Sequence, residues 1–90
     1  MWNKELHLKQ REDAILLLIS IGCKDLTKQF HPKKRDKKFF RYYISKSSHM
    51  SFDFDYPEYE EIKVYANRRH IQTDVLFRDL PIFLKQQGII

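Results

Sequence analysis

One short segment gathers side chains that could transfer protons and contact a phosphate. His49 follows Lys46, Ser47 and Ser48, so an imidazole, an ammonium group and two hydroxyls lie within four residues. Metal-free cleavage of RNA needs a group that takes the proton of the ribose 2′-hydroxyl, a donor for the leaving oxygen and positive charge at the phosphate. His49 could perform either proton transfer near neutral pH, Lys46 is the nearest cation for the phosphate, and Ser48 could orient either group. A lone surface histidine is often without a role, so these residues alone leave the chemistry open.

A second chemical feature is the basic stretch between residues 24 and 41, where eight lysines and arginines face two aspartates. Such a stretch attracts polyanions, and the aromatic residues that flank it are possible stacking surfaces for bases. A solvated lysine-rich loop is an equally weighted alternative. The cations that we predict to contact nucleic acid are Lys33, Lys34, Arg35, Lys37, Lys38 and Arg41.

The remaining polar residues give weaker signals. An acidic stretch follows the basic one, and it could bind a basic partner or only balance the charge of the fold: Asp53, Asp55, Glu58, Glu60 and Glu61. Cys23 is the only cysteine, and none of the four histidines stands at a zinc-ligand spacing from it. We therefore predict neither a metal nor a cofactor, and we interpret Cys23 as a small buried apolar residue.

The apolar pattern indicates which elements position these residues. A helix is predicted around Ile15, Leu18 and Ile19, with Asn3 as its cap and Gly22 as its end. Residues 24–38 contain Pro32 and show no clear apolar period, so they are predicted to be mostly loop, with room for one short helical turn. Alternation with period two then predicts three strands, and a final helical face follows before Gly88. The residues that carry these last two patterns are Phe40, Tyr42 and Ile44; Met50, Phe52 and Phe54; Ile62, Val64 and Ala66; and Leu76, Leu80, Phe83 and Leu84.

This order predicts an α+β fold, in which a three-stranded antiparallel sheet carries two helices on one face. If Phe52 and its same-side neighbours point to the helices, His49 begins its strand on the open face. The chain of 90 residues is short, has two glycines and lacks an apolar run of membrane-spanning length. We therefore expect one domain over residues 1–90 with a basic loop at about 24–38, no membrane segment and a cytoplasmic location.

The segment Lys46-Ser47-Ser48-His49-Met50-Ser51-Phe52 resembles the Lys-Gly-Ser-His-x-x-Phe signature of the HicA family of toxins. The segment from Leu80 to Ile89 is similar to the Leu-x-x-Ile-Leu-Lys-Gln-Ala-Gly-Ile end of that family. Members of the family cleave messenger RNA in bacterial toxin–antitoxin modules and have a helix, three strands and a helix, as in double-stranded-RNA-binding domains. The resemblance implies that His49 is the catalytic residue of a metal-independent endoribonuclease, and that a HicB-type antitoxin binds and blocks the chain.

Two further functions are compatible with the same residues. The size, the segregated charge and the basic insertion also suit a non-enzymatic inhibitor from a phage or mobile element. Such an anti-CRISPR-like protein would bind a protein or a nucleoprotein through its charged patches. Plain RNA binding without cleavage would share the geometry of the enzyme and lack its chemistry. His70 is a candidate for a second acid or base, but its place relative to His49 does not follow from the sequence.

Overall fold

The computed structural model describes residues 3–56, 58–66 and 72–90. Helix α1 spans Lys4–Ser20, and the side chain of Asn3 caps its start by accepting a hydrogen bond from the Leu6 amide at 3.0 Å. Gly22 follows the helix with a φ of 93°, a backbone conformation that residues with a Cβ rarely adopt. Both predicted ends of this helix are therefore confirmed.

The face by which α1 packs differs in part from the apolar pattern. Ala14, Ile15 and Leu18 are buried as expected, whereas Leu8 and Ile19 are exposed. Leucines and isoleucines thus occur on both sides of α1. Only the face formed by residues 14, 15 and 18, which are three or four positions apart from one another or adjacent, packs on the sheet.

The described residues form one antiparallel sheet of five strands in chain order. The strands are β1 (Lys24–Asp25), β2 (Lys38–Tyr43), β3 (His49–Phe54), β4 (Glu61–Ala66) and β5 (Gln72–Leu76). The α+β class is confirmed, but the predicted number of three strands is wrong, because one further strand lies at each edge. β1 has only two residues and cannot show an alternation, while β5 is an edge strand whose first three residues are exposed.

The C-terminal elements begin later than the apolar pattern predicts. Leu76 ends β5 and does not belong to the last helix, which is a correction to the predicted helical face. A single 3₁₀ turn (Phe77–Asp79) follows, and the last helix, α3, spans Leu80–Gln86 with a proline in its first turn. Gly88, with a φ of 75°, ends it as expected.

The covered face of the sheet holds the core. The register places Phe40 opposite Phe52 and Phe52 opposite Val64, and all three side chains are buried. α1 and α3 pack on this face, which confirms the predicted direction of the β3 side chains. The core cluster consists of Ala14, Ile15, Leu18, Phe40, Met50, Phe52, Phe54, Ile62, Val64, Val75, Phe77, Leu80 and Leu84.

The basic segment is more ordered than a loop. It contains β1 and a short helix, α2 (Thr27–Phe30). The hydroxyl of Thr27 donates to Asp25 Oδ1 at 2.5 Å and accepts a hydrogen bond from the Phe39 amide at 3.1 Å. From α1, Arg11 Nη2 donates to the carbonyl of Asp36 at 2.6 Å. The segment is therefore attached to the rest of the fold near both of its ends.

Candidate nucleic-acid interface

The sheet face opposite the core is only partly covered. Alternation along each strand places on it the side chains of Phe39, Arg41, Tyr43, His49, Ser51, Asp53, Lys63, Tyr65, Gln72 and Asp74. We call these residues the open face. Helix α2 covers its Phe39 end, where the rings of Phe30 and Phe39 stack with their centroids 4.3 Å apart. The opposite end, at His49, carries no such helix among the described residues.

His49 is half-buried on the open face, at the start of β3. The register sets it opposite Tyr43, and the two rings meet edge to face with centroids 6.0 Å apart. Burial lowers the pKa of His49 below its ordinary value, and the positive charge of Arg41 lowers it further. Both causes favour the neutral imidazole, which is the form that can accept a proton.

Arg41 lies next to His49 in the middle of the open face. Its Nε donates to the Ser51 hydroxyl at 3.3 Å, and its guanidinium carbon lies 5.3 Å from the ring centroid of Phe30 and 5.8 Å from that of Phe39. Within residues 3–56, 58–66 and 72–90, no carboxylate lies within ion-pair distance of Arg41. The guanidinium is thus held in place while its charge is not neutralised by an acid of the described chain.

Lys46 and Ser48 lie in the turn that precedes His49. The Ser48 carbonyl closes the turn by accepting from the amides of Ile44 and Ser45 at 2.9 and 3.1 Å. Ser48 is half-buried and stands directly before β3. Lys46 is exposed in the turn, and the charge that acts on His49 is that of Arg41.

The six predicted nucleic-acid contacts occupy different positions. Lys33, Lys34 and Arg35 are exposed and line a depression of about 250 Å³ beside α2, to which Lys38 also contributes. Lys37 instead contacts Asp55 at 3.4 Å and lies 5.2 Å from the ring of Tyr56. Arg41 stands apart from these cations, on the open face.

The acids at the end of β3 pair with bases of the same fold. Asp53 Oδ1 lies 3.2 Å from His31 Nε2, and Asp55 Oδ2 lies 2.8 Å from Lys63 Nζ. Partial burial opposes ionisation of Asp55, but the hydrogen bond and charge of Lys63 and the charge of Lys37 outweigh it, so that the pKa of Asp55 is lowered. Of the two interpretations of the acidic stretch, these contacts favour charge balance within the fold for Asp53 and Asp55.

The other candidate groups lie elsewhere. His7 belongs to α1 and is buried, with its ring centroid 5.4 Å from that of Phe77. Burial raises the pKa of Cys23 to about 12, in keeping with its interpretation as an apolar residue that packs at the core. His70 lies outside the described residues.

Sequence reasoning missed the two neighbours of His49, Arg41 and Tyr43, as parts of its site. A usable signal was present, because a hairpin whose turn covers residues 44–48 pairs residue 43 with residue 49. Period-two alternation then puts Arg41 on the same face as Tyr43, two residues before it in β2.

In the described chain, no group of three or more His, Cys, Asp or Glu side chains could hold a metal ion, and no helix is long and apolar enough to cross a membrane. Comparison with known protein families, curated proteins and solved structures found no significant match.

Proposed function

We propose that the open face binds single-stranded RNA and that His49 makes this protein a metal-independent endoribonuclease. One observation carries the proposal: His49 and Arg41, an arginine without an acidic partner in the described chain, lie on the same open sheet face, on adjacent strands, and close enough for the charge of Arg41 to lower the pKa of His49. This pairing supplies a proton acceptor and a phosphate contact at neighbouring positions.

The chemistry assigns one role to each of the two groups. His49 accepts the proton of a ribose 2′-hydroxyl, and the resulting oxygen attacks the adjacent phosphorus. The bond from phosphorus to the 5′-oxygen breaks, and that oxygen takes a proton from water or a nearby donor. Arg41 stabilises the negative charge that grows on the phosphate during this step. The expected products carry a 2′,3′-cyclic phosphate and a 5′-hydroxyl, so DNA is not a substrate.

The basic segment supplies a second kind of support. Lys33, Lys34 and Arg35 are exposed on the α2 side of the molecule, and α2 itself packs on the open face through Phe30. Cations there would attract the RNA backbone and hold it in a sequence-independent, salt-dependent way. Lys46, exposed in the turn next to His49, is a further candidate for a phosphate contact.

The resemblance to the HicA toxins extends the proposal to a toxin–antitoxin module whose HicB-type antitoxin blocks the site. The double-stranded-RNA-binding-domain-like arrangement that this resemblance implies has three strands, whereas the described chain has five. Co-expression with the product of a neighbouring gene tests the partner directly. A true antitoxin restores growth and co-purifies with the chain.

The decisive experiment compares the wild type with His49→Gln on a single-stranded RNA in the presence of a chelator. We expect the wild type to generate cyclic-phosphate ends and the variant to lose at least about 100-fold in rate, as is typical when a general base is removed. An oligonucleotide of the same sequence with 2′-deoxyriboses is the matched substrate control and should stay intact. Unchanged circular dichroism would show that the half-buried side chain is not needed for folding.

Two results would contradict the enzyme. One is wild-type protein that leaves RNA intact in chelator, and the other is a His49→Gln variant as active as the wild type. A binding protein that acts on a nucleoprotein machine is then favoured, because Lys33, Lys34 and Arg35 are exposed and free of the packing that holds Lys37. That function predicts that charge reversal at these three residues removes activity while His49→Ala does not.

A further inference from the structure

Phe30 stacks on Phe39 and yet remains partly exposed. A purely structural role of the stack does not require this exposure. The two rings lie 4.3 Å apart with an interplanar angle of 28°, yet Phe30 keeps 42% of its surface accessible while Phe39 keeps 8%. Phe39 thus forms the floor and Phe30 the accessible part of one aromatic platform. A large exposed aromatic ring that is held by a second ring offers a flat surface at a low cost in side-chain entropy.

One cation contacts this platform, and others line the depression beside α2. Arg41 lies 5.3 Å from the Phe30 centroid, and α2 places Lys28 on the depression beside it. The residues that line the depression include five Lys or Arg and no carboxylate: Thr27, Lys28, His31, Pro32, Lys33, Lys34, Arg35 and Lys38. An occupant of this region should therefore combine a flat π-system with negative charge, which is the composition of a nucleotide.

We propose that Phe30 stacks on a nucleobase of the bound RNA while the cations of the adjacent depression contact its phosphates. This inference rests on the proposed RNA binding and adds a base-stacking subsite to it. Tyr43, the partner of His49, lies four positions along β2 from Phe39, so the subsite lies about 13 Å along the strand from the proposed cleavage point. Phe30 then holds a base a short distance along the strand from the scissile bond, and Arg41 lies between the two positions.

Affinity for RNA tests the subsite. Phe30→Leu keeps an apolar side chain but removes the ring, and we expect its Kd for a single-stranded oligoribonucleotide to rise roughly 5- to 150-fold, as for the loss of one stacked base. Phe30→Trp should retain the affinity of the wild type. Tyr59→Leu is the matched control, because Tyr59 is also an exposed aromatic residue (57%) but follows β3 and lies outside the open face. The Kd of the Tyr59→Leu variant for the same oligoribonucleotide should equal that of the wild type.

Fluorescence and a modified ligand separate stacking from packing. Trp2→Phe removes the native tryptophan, so the fluorescence of a Trp2→Phe, Phe30→Trp double variant comes from the new indole. Binding of the oligoribonucleotide should quench this fluorescence. An abasic oligomer of the same length keeps the phosphates, so it should bind wild type and Phe30→Leu equally and cause no quenching. Adenosine monophosphate distinguishes a free nucleotide from a strand: quenching by it at similar concentrations would assign the subsite to mononucleotides and overturn its place on an RNA path.

The outcomes distinguish this subsite from the proposed function. If wild type binds no RNA, both proposals fail. If wild type binds or cleaves RNA while Phe30→Leu matches it in Kd, or the indole is not quenched, only the stacking subsite is overturned. Loss of affinity for the abasic oligomer in Phe30→Leu would also overturn it, since that result would show a disturbed fold of α2 and not a lost stack.

Discussion

The two faces of the sheet differ in what their side chains require. On the covered face, Phe40, Phe52 and Val64 form a row within the apolar core under the helices. On the open face, the next row places Arg41 opposite Ser51, and His49 follows beyond it. The first row removes apolar surface from water, whereas the second holds polar groups at fixed positions where water and a ligand can reach them.

This difference suggests that stability and activity are separable in the protein. Residues of the covered face should determine whether the chain folds and should affect activity only through folding. Residues of the open face should determine activity and should have small effects on the free energy of unfolding. Three substitutions test this division, and their expected effects decrease from the first to the third.

The largest effect is expected for Phe52→Ala. Phe52 is fully buried, so the truncation removes apolar contacts and leaves a cavity between the sheet and the helices. We expect the free energy of unfolding to fall by about 3–5 kcal/mol, measured by urea denaturation. Tyr43→Ala is the matched truncation on the open face, where Tyr43 is 51% exposed, and should cost less than about 1 kcal/mol. Equal losses for the two variants would contradict the division between the faces.

An intermediate effect is expected for Arg41→Gln, measured as the pKa of His49 by NMR titration of its ring protons. Burial is the main cause of the lowered pKa of His49 and remains, but the charge of Arg41 is removed, so the pKa should rise part of the way towards 6.5. The acid limb of the cleavage rate should move to higher pH in the same direction.

The stability of the fold should depend on pH in the same direction. Because the pKa of His49 is lowered in the folded protein, neutral His49 contributes to stability above pH 6.5, its ordinary pKa. This contribution is lost as the pH falls from 6.5 through the lowered pKa. Lys46→Gln removes a cation from the turn and serves as the control, with a smaller shift expected. A pKa of His49 that is unchanged or lower in Arg41→Gln would refute the coupling between the two residues.

The smallest effect is expected for Asp55→Asn. It removes the ion pairs with Lys63 and Lys37, which are partly exposed, and should lower the free energy of unfolding by less than about 1 kcal/mol at pH 7. Because the pKa of Asp55 is lowered, its contribution is present above the ordinary value of 3.8 and disappears as the pH falls through the lowered pKa. The difference between wild type and variant in the free energy of unfolding should therefore be smaller at pH 2 than at pH 7.

A control for this variant is Asp74→Asn, since Asp74 accepts a hydrogen bond from Gln72 on the exposed edge strand β5. It should change stability less than Asp55→Asn at pH 7. The reverse order would show that the pairs at Asp55 contribute nothing measurable.

Much of the fold follows from local patterns that the sequence makes visible. Asn3 and Gly22 mark the ends of α1 because a capping side chain and a positive φ each demand a particular residue type. The alternation of Met50, Phe52 and Phe54 gave the direction of β3 because one face of the sheet is buried. The same alternation correctly put His49 on the other face.

The parts that could not be predicted lack such local signals. β1 and α2 are too short for any periodicity, and they exist because Leu26 and Thr27 bond to the backbone of Phe39. β5 is an exposed edge strand, so its burial pattern is weak. The pairing of Asp55 with Lys63 and the place of Arg41 beside His49 depend on the register of neighbouring strands, which becomes clear only once the turn is known.

The attachment of the basic segment at Asp25, Thr27 and Asp36 has a consequence for recognition. A lysine-rich segment that is disordered before binding must give up about 1–2 kcal/mol of backbone freedom for each residue that a ligand orders. Here folding has already imposed that restriction through Arg11 and Phe39, so a partner meets cations at preset spacings. Such a surface selects among partners by the distances between their charges, and it gains affinity without first having to shape the protein.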